Sequence, residues 1–213
     1  MYLYNFIHWL YSYDIMKLSI RYLTTVIPRQ IPPEPKSQDA SHDRNLKKSN
    51  NDCSNQFHRS ATHFNCPLQT GEKFEDYVLE FEQEETSGYH SYDLKRMEFD
   101  MNSYTPILDH TTVLSLTYEL FANDAIFFTD LHSKKVVLKN PVTGCGVEVS
   151  FPDFATVAFW TAAATKAPFL CVEPWNGSAI RSDEDDNFLN RHYLQKVESG
   201  KKRTYLLEIK KIN

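Results

Sequence analysis

The chain has 213 residues, 41% hydrophobic, 24% charged and 14% aromatic, and a net charge of -5 from 23 basic and 28 acidic side chains. That length has room for one large domain or two small ones around a sizeable core, and the composition excludes a fibrous or wholly disordered chain. The acidic balance argues against nucleic acid as a partner, because phosphate binding needs clustered positive charge. Four scattered cysteines (Cys53, Cys66, Cys145, Cys171) form no Cys-x-x-Cys pair and no disulfide framework, which points to a reducing cytoplasm.

Charge and glycine divide the chain. Residues 1–60 carry eight basic and five acidic side chains, whereas 61–213 carry fifteen and twenty-three. All six glycines fall at or after Gly71, and turns with positive φ need them. Residues 1–27 form an apolar N-terminal extension that opens MYLYNFIHWLYSY. Its uninterrupted run is shorter than the roughly 20 residues that cross a bilayer, and no basic segment precedes it, so no membrane span or signal peptide is expected. It reads as an irregular extension that packs on the body or stays loose. Residues 28–60, rich in Pro, Ser, Asn, Asp and Lys, read as a linker without fixed structure, burying too little apolar surface to offset the entropy of ordering.

Residues 61–213 form the body, and its dominant period is two. Leu79 and Phe81 alternate with Glu80 and Glu82; Val113–Leu116 and Val147–Phe151 alternate in the same way, as half-buried strands do. Leu116–Asn123 predicts one or two helical turns. Ala125–Thr129, Val136–Lys139, Thr156–Trp160 and Pro168–Glu173 are short apolar runs suited to strands covered on both faces. Gly144-Cys145-Gly146 reads as a hairpin turn, and His192–Glu198 with Thr204–Lys210 as a hairpin about Ser199-Gly200-Lys201. Seven to nine such strands predict an all-β sandwich or barrel.

Common catalytic signatures are absent: there is no Gly-x-x-x-x-Gly-Lys phosphate loop and no Gly-x-Ser-x-Gly elbow. His58, His63 and Cys66 lie close together but match no standard metal spacing, so no metal is expected. The segment Ala167–Gly177 drives an apolar run into Glu173, followed by Pro174-Trp175-Asn176-Gly177. A carboxylate at the end of a buried strand is costly unless it is paired or used. Two readings follow, a structural glutamate closing a turn or a general acid or base. Trp175 offers a flat apolar face on which a sugar ring can stack. Asn123-Asp124, before the run Ala125–Phe128, reads first as a turn acid at a strand start.

Four segments together are more specific than any one alone. They are Phe64–Leu68 with Gly71–Tyr77, Leu116–Ala125, Phe151–Phe154 and Pro168–Gly177. In this order the stretch from Phe64 resembles the aldose 1-epimerase (galactose mutarotase-like) family, in particular the bacterial branch found with sugar-utilisation enzymes. The resemblance implies a large β-sandwich, often called a supersandwich. It implies an isomerase of carbohydrate metabolism that interconverts α and β anomers of a free aldose, with no metal and no organic cofactor. A carboxylate takes the proton of the C1 hydroxyl, a histidine protonates the ring oxygen, and the opened sugar rotates and recloses. By resemblance Glu173 is the base, Asp124 holds sugar hydroxyls, and Trp175 shapes the pocket with Asn176 beside it. Phe64 and Asn65 match the tail of the family's His-x-x-Phe-Asn segment.

Two departures stand beside the match. The histidine of that segment should stand at position 61, which is Ala61, while His63 directly precedes Phe64. A shift of two keeps one face of a strand, so His63 is the candidate acid, displaced by about 6–7 Å along it; the other reading is an ordinary strand-start residue. The family also places roughly half a sandwich upstream of this point, and residues 1–60 do not show that pattern. The expected fold is thus a sandwich incomplete at its N-terminal side. Its uncovered sheet face is one across which a homodimer can form. The alternative function is a non-catalytic carbohydrate-binding β-sandwich, with Trp175, Asp124 and Asn176 holding sugar, or an inactive truncated family member.

Overall fold

The fold is seen in a computed structural model, which describes residues 19–26, 53–56, 58–59, 62–65 and 70–213 except 186, 199, 200 and 213. Four strands lead the body, β1 (Ser19–Val26), β2 (Cys53–Gln56), β3 (His58–Arg59) and β4 (Thr62–Asn65), and they are described by their backbone pairing. There follow β5 (Val78–Tyr89), β6 (Tyr92–Asp93), β7 (Glu98–Phe99), β8 (Thr105–Ser115), β9 (Ile126–Phe128) and β10 (Lys135–Lys139). The rest are β11 (Gly146–Ser150), β12 (Thr156–Trp160), β13 (Phe169–Asn176), β14 (Ile180–Arg181), β15 (Gln195–Glu198) and β16 (Arg203–Ile212).

A six-stranded sheet runs β1-β16-β11-β10-β5-β8. A second sheet runs β13-β12-β9, with β3 and β4 pairing successive parts of β13. A small sheet runs β14-β7-β6, and β15 pairs β2. No pairing among the described residues closes a barrel, and the architecture is the expected β-sandwich. Its core lies between the two larger sheets. Leu79, Phe81, Val136, Leu138, Val149, Leu207 and Ile209 face it from one side, and Ile126, Phe128, Val157, Phe159, Leu170 and Val172 from the other. Phe81 joins the layers, meeting Phe128 and Phe159 edge-on with ring centroids 6.3 and 6.4 Å apart.

Three expectations change. Residues 19–26, read as irregular, form an edge strand in antiparallel register with β16 across eight residue pairs. The region read as a linker contains β2 and β3; residues 1–18 and 27–52 lie outside the described residues. The hairpin expected around Ser199–Lys201 does not form, because β15 pairs β2 while β16 runs between β1 and β11. The reason is the period-two run Tyr205, Leu207 and Ile209, which is buried only by joining the large sheet over the core. Of the one or two helical turns expected at 116–123, one forms, a 3-10 turn at Glu119–Phe121. The glycine turn at 144–146 is as expected: Gly144 has φ 74 and its N–H donates to the Asn140 carbonyl at 2.8 Å, linking β10 to β11.

Polar side chains fix two of the passages between the large sheets. After β9 the chain returns to the six-stranded sheet through residues 129–134. There Glu85, 1% exposed, accepts from the Ser133 amide at 2.6 Å and from the His132 amide at 3.1 Å, with the His132 ring at 3.2 Å. Burial works against the Glu85 charge, but hydrogen bonds from the Ser133 hydroxyl, these amides and the His132 ring outweigh it and hold the carboxyl below its ordinary range. After β11 the chain passes to β12 through residues 151–155. The Lys134 ammonium donates to the Phe154 carbonyl at 3.0 Å, and the Leu206 amide donates to the Asp153 carboxylate at 2.7 Å. Burial pushes the Lys134 pKa down, against the pull of Glu85.

Candidate functional site

The second sheet has two covered faces. Ile126, Phe128, Val157, Phe159, Leu170 and Val172 point into the main core, so their neighbours in sequence point the other way. On that other face, Phe127, Ala158 and Glu173 stand in one row across the sheet, directly opposite one another in register. Two places along β13 stands Trp175, paired with Thr156. Glu173 is 7% exposed. The continuous apolar runs of this sheet are thus explained by cover on both faces, and Glu173 is the acid that falls within them.

The cover on the Glu173 face is the small sheet β14-β7-β6. Phe99, Phe127 and Ala158 are buried together there, with Tyr92, Met101, Ala125, Trp175 and Ala179 packed around them. The rings form an unbroken line. Tyr92 meets Phe99, Phe99 meets Phe127, and Phe127 meets Trp175, each with centroids 5.2 Å apart. Trp175 therefore presents one end of an aromatic wall, not an isolated platform. Sequence reading missed Tyr92, Phe99 and Phe127. The signal for the first two was weak, since β6 and β7 are two-residue strands.

Asp124 follows the 3-10 turn, its amide 3.3 Å from the Phe121 carbonyl, and leads into β9. Its φ is 136°, a backbone region that side chains other than glycine rarely adopt. Such strain, of order 1–3 kcal/mol, persists where the surroundings over-determine it, and it concentrates at functional sites. Its charge reaches the small sheet. Burial first, and then the Asp124 carboxylate, raise the Tyr92 phenol pKa above its ordinary value.

The remaining candidates fall in different places. His63 stands opposite Cys171 in the backbone register and Asn65 opposite Phe169, so β4 lies beside the part of β13 that leads into Glu173. Arg59 stands opposite Trp175. Position 61 lies outside the described residues. Asn176, 1% exposed, has its amide engaged in the fold. Its oxygen accepts from the Ala155 amide at 3.2 Å and its nitrogen donates to the Asp153 carbonyl at 3.1 Å. It fixes the 151–155 passage, and in strand alternation it lies on the opposite face from Trp175. No group of three His, Cys, Asp or Glu among the described residues is arranged to hold a metal ion. No helix among them is long and apolar enough to cross a membrane.

No family model matches the chain. Protein LacX of Lactococcus lactis subsp. lactis, in its chromosomal and plasmid forms, is 36% identical over 134 residues, which is 63% of this chain and 44% of that protein. The chain thus spans less than half the length of the curated relatives it matches. A galactose mutarotase related enzyme from Lactobacillus acidophilus superposes with a TM-score of 0.65 at 21% identity, over 75% of this chain and 53% of its own. A galactose mutarotase-like protein from Lactobacillus casei superposes with a TM-score of 0.60 at 18% identity, over 75% and 55%. These likenesses show the galactose mutarotase-like fold, and with the LacX match they carry a resemblance at the level of the family.

Proposed function

We propose that the chain acts on a free aldose as an aldose 1-epimerase-type isomerase, working in the cytoplasm, with Glu173 as base. The observation that carries this reading is the buried Glu173 in one row with Phe127 and Ala158, beside an aromatic line that ends at Trp175, with a strained Asp124 leading into β9. In the proposed reaction Glu173 removes the C1 hydroxyl proton and an acid protonates the ring oxygen. The C1–O bond to the ring breaks as the C1 carbonyl forms, the C1–C2 bond rotates, and the ring recloses on the other face with the protons returned. His63, on the strand beside Glu173, is the acid in this reading. Asp124 holds sugar hydroxyls and Trp175 lies along the ring.

The test is the rate of anomer exchange of glucose and galactose by NMR, with the protein and its Glu173→Gln variant. One positioned acid or base supplies a factor of about 10² to 10⁴, so the variant should lose acceleration by that factor. Equal rates would remove Glu173 from the mechanism. The second reading is aldose binding without turnover, and it is favoured by alanine at position 61, where the family resemblance calls for histidine. It predicts saturable aldose binding with an exchange rate equal to buffer alone.

A further inference from the structure

β3 and β4 pair β13 in one continuous register. Arg59 stands opposite Trp175, Thr62 opposite Val172 and His63 opposite Cys171, with the same offset on both segments. Residues directly opposite one another share a face of a sheet, and that face recurs at every second residue. Trp175, Glu173 and Cys171 therefore stand on one face of β13, with Arg59 and His63 on the same face of the strands beside it. Glu173 lies midway between the two pairs, so Arg59 and His63 hold its two diagonal positions on this side. Diagonal neighbours are about 7–8 Å apart, a separation that long side chains span. On the other side, Ala158 of β12 is directly opposite Glu173, and Thr156 and Trp160 hold the diagonals. None of these three carries a charge. On the small sheet that covers this face, Arg181 stands in register with Phe99, and its guanidinium donates to the Asp183 carboxylate at 2.7 and 2.9 Å. Tyr92 is the titratable residue packed there. Among the described residues, Arg59 is thus the permanent cation that the register places beside Glu173 on this face.

We propose that Arg59 is a positioning residue for Glu173, serving as its counter-charge and fixing the carboxylate that takes the C1 proton. The catalytic part of this assignment rests on the isomerase reading above, and it adds a residue that the family resemblance did not supply. Glu173 is 7% exposed, and a carboxylate taken out of water is costly unless an opposite charge stands near it. A guanidinium offers a planar fork that sets the orientation of a carboxylate, which the compact charge of an ammonium does not. A carboxylate has about four lone-pair sites, so one engaged in this way still accepts a proton. Misplacing a base by about 1 Å costs rate, because the reacting atoms no longer meet in line.

The experiment compares the protein, Arg59→Gln, Arg59→Lys, Glu173→Gln and the double variant Arg59→Gln/Glu173→Gln. Anomer exchange of glucose and galactose is followed by NMR at varied sugar concentration, and stability by urea unfolding. Arg59→Gln should lower kcat about tenfold with KM unchanged, since it misplaces the base and not the sugar. Arg59→Lys, which keeps the charge without the fork, should recover most of the stability and part of kcat. In the Glu173→Gln background Arg59→Gln should lower exchange no further, and its effect on the folded-to-unfolded ratio should be about tenfold smaller. Unfolding by Arg59→Gln that the double variant reverses would support the pairing equally. Losses of stability of the same size in both backgrounds, unfolding in both, or an Arg59→Lys no better than Arg59→Gln would each overturn the assignment. A raised KM with kcat unchanged would place Arg59 on the sugar and overturn it too. Coupling in stability with no acceleration of exchange by the unaltered protein would sink the isomerase reading and leave Arg59 as the counter-charge of Glu173.

Discussion

The two large sheets solve the same problem differently. The six-stranded sheet has one wet face, and there opposite charges meet across strands. Lys139 lies 2.5 Å from Glu80, Lys135 is 3.7 Å from Glu82, and Lys210 is 4.0 Å from Glu148. Its inward side chains meet the shared core. The sheet containing β13 has no such face: one side meets the same core and the other is covered by the small sheet. A charge on the first sheet's outer face costs little, whereas a charge on the second must have a use or a partner. The comparison teaches that the candidate site lies where a second cover creates a dry layer outside the main core.

If the core between the sheets is the common foundation, opening it should have the largest effect. Phe159 is fully buried and touches Phe81 and Phe128, so Phe159→Ala should cost about 4 kcal/mol in chemical denaturation, with the loss seen equally by probes on either sheet. Probes that separate would show two independent units instead of one sandwich.

The passage between the sheets comes next. Glu85→Gln should cost about 2 kcal/mol at neutral pH, because amides of a fixed loop lose a charged acceptor. The Glu85 carboxyl is held below its ordinary range in the folded state. Its stabilisation is therefore complete above the ordinary carboxylate pKa, near 4.3, and is lost as the pH falls through the lower folded value. The difference between the protein and Glu85→Gln should accordingly shrink on acidification below about pH 4. A constant gap down to pH 2 would mean that Glu85 contributes by shape alone.

The wet face should matter least. Lys139→Ala should change stability by about 0.5 kcal/mol, and by less in 1 M salt, because exposed ion pairs are weak and screened. A loss above 2 kcal/mol would mean that this face, too, is covered.

The same contrast explains what the sequence made legible. Period two exposed β5, β11 and the region of β8, because one face is wet. Continuous runs exposed β9, β12 and β13 for the opposite reason, and within them Glu173 stood out as an acid out of place. Glu85 was legible and passed over. It shares phase with Leu79 and Phe81 and is buried, although Gln83, in the same phase between Phe81 and Glu85, is exposed where the register with β8 shifts. The wall over Phe127 and Ala158 was not legible, since two-residue strands carry too few positions to show a period. Nor was the pairing of β16, because alternation gives a strand's faces but not its neighbours. Asp124 read as an ordinary turn acid; its backbone strain depends on the path of the chain on both sides of it.

The last-mentioned strand bears on how the molecule is made. β16 follows every other described strand in the chain, yet it stands inside the large sheet, between β1 and β11. During synthesis β1 emerges long before the strand it pairs with, and β11 also waits for it. Closing this sheet requires contacts between distant parts of the chain, which slows folding. Until then both strands present unpaired edges, the condition in which nascent β-proteins associate wrongly.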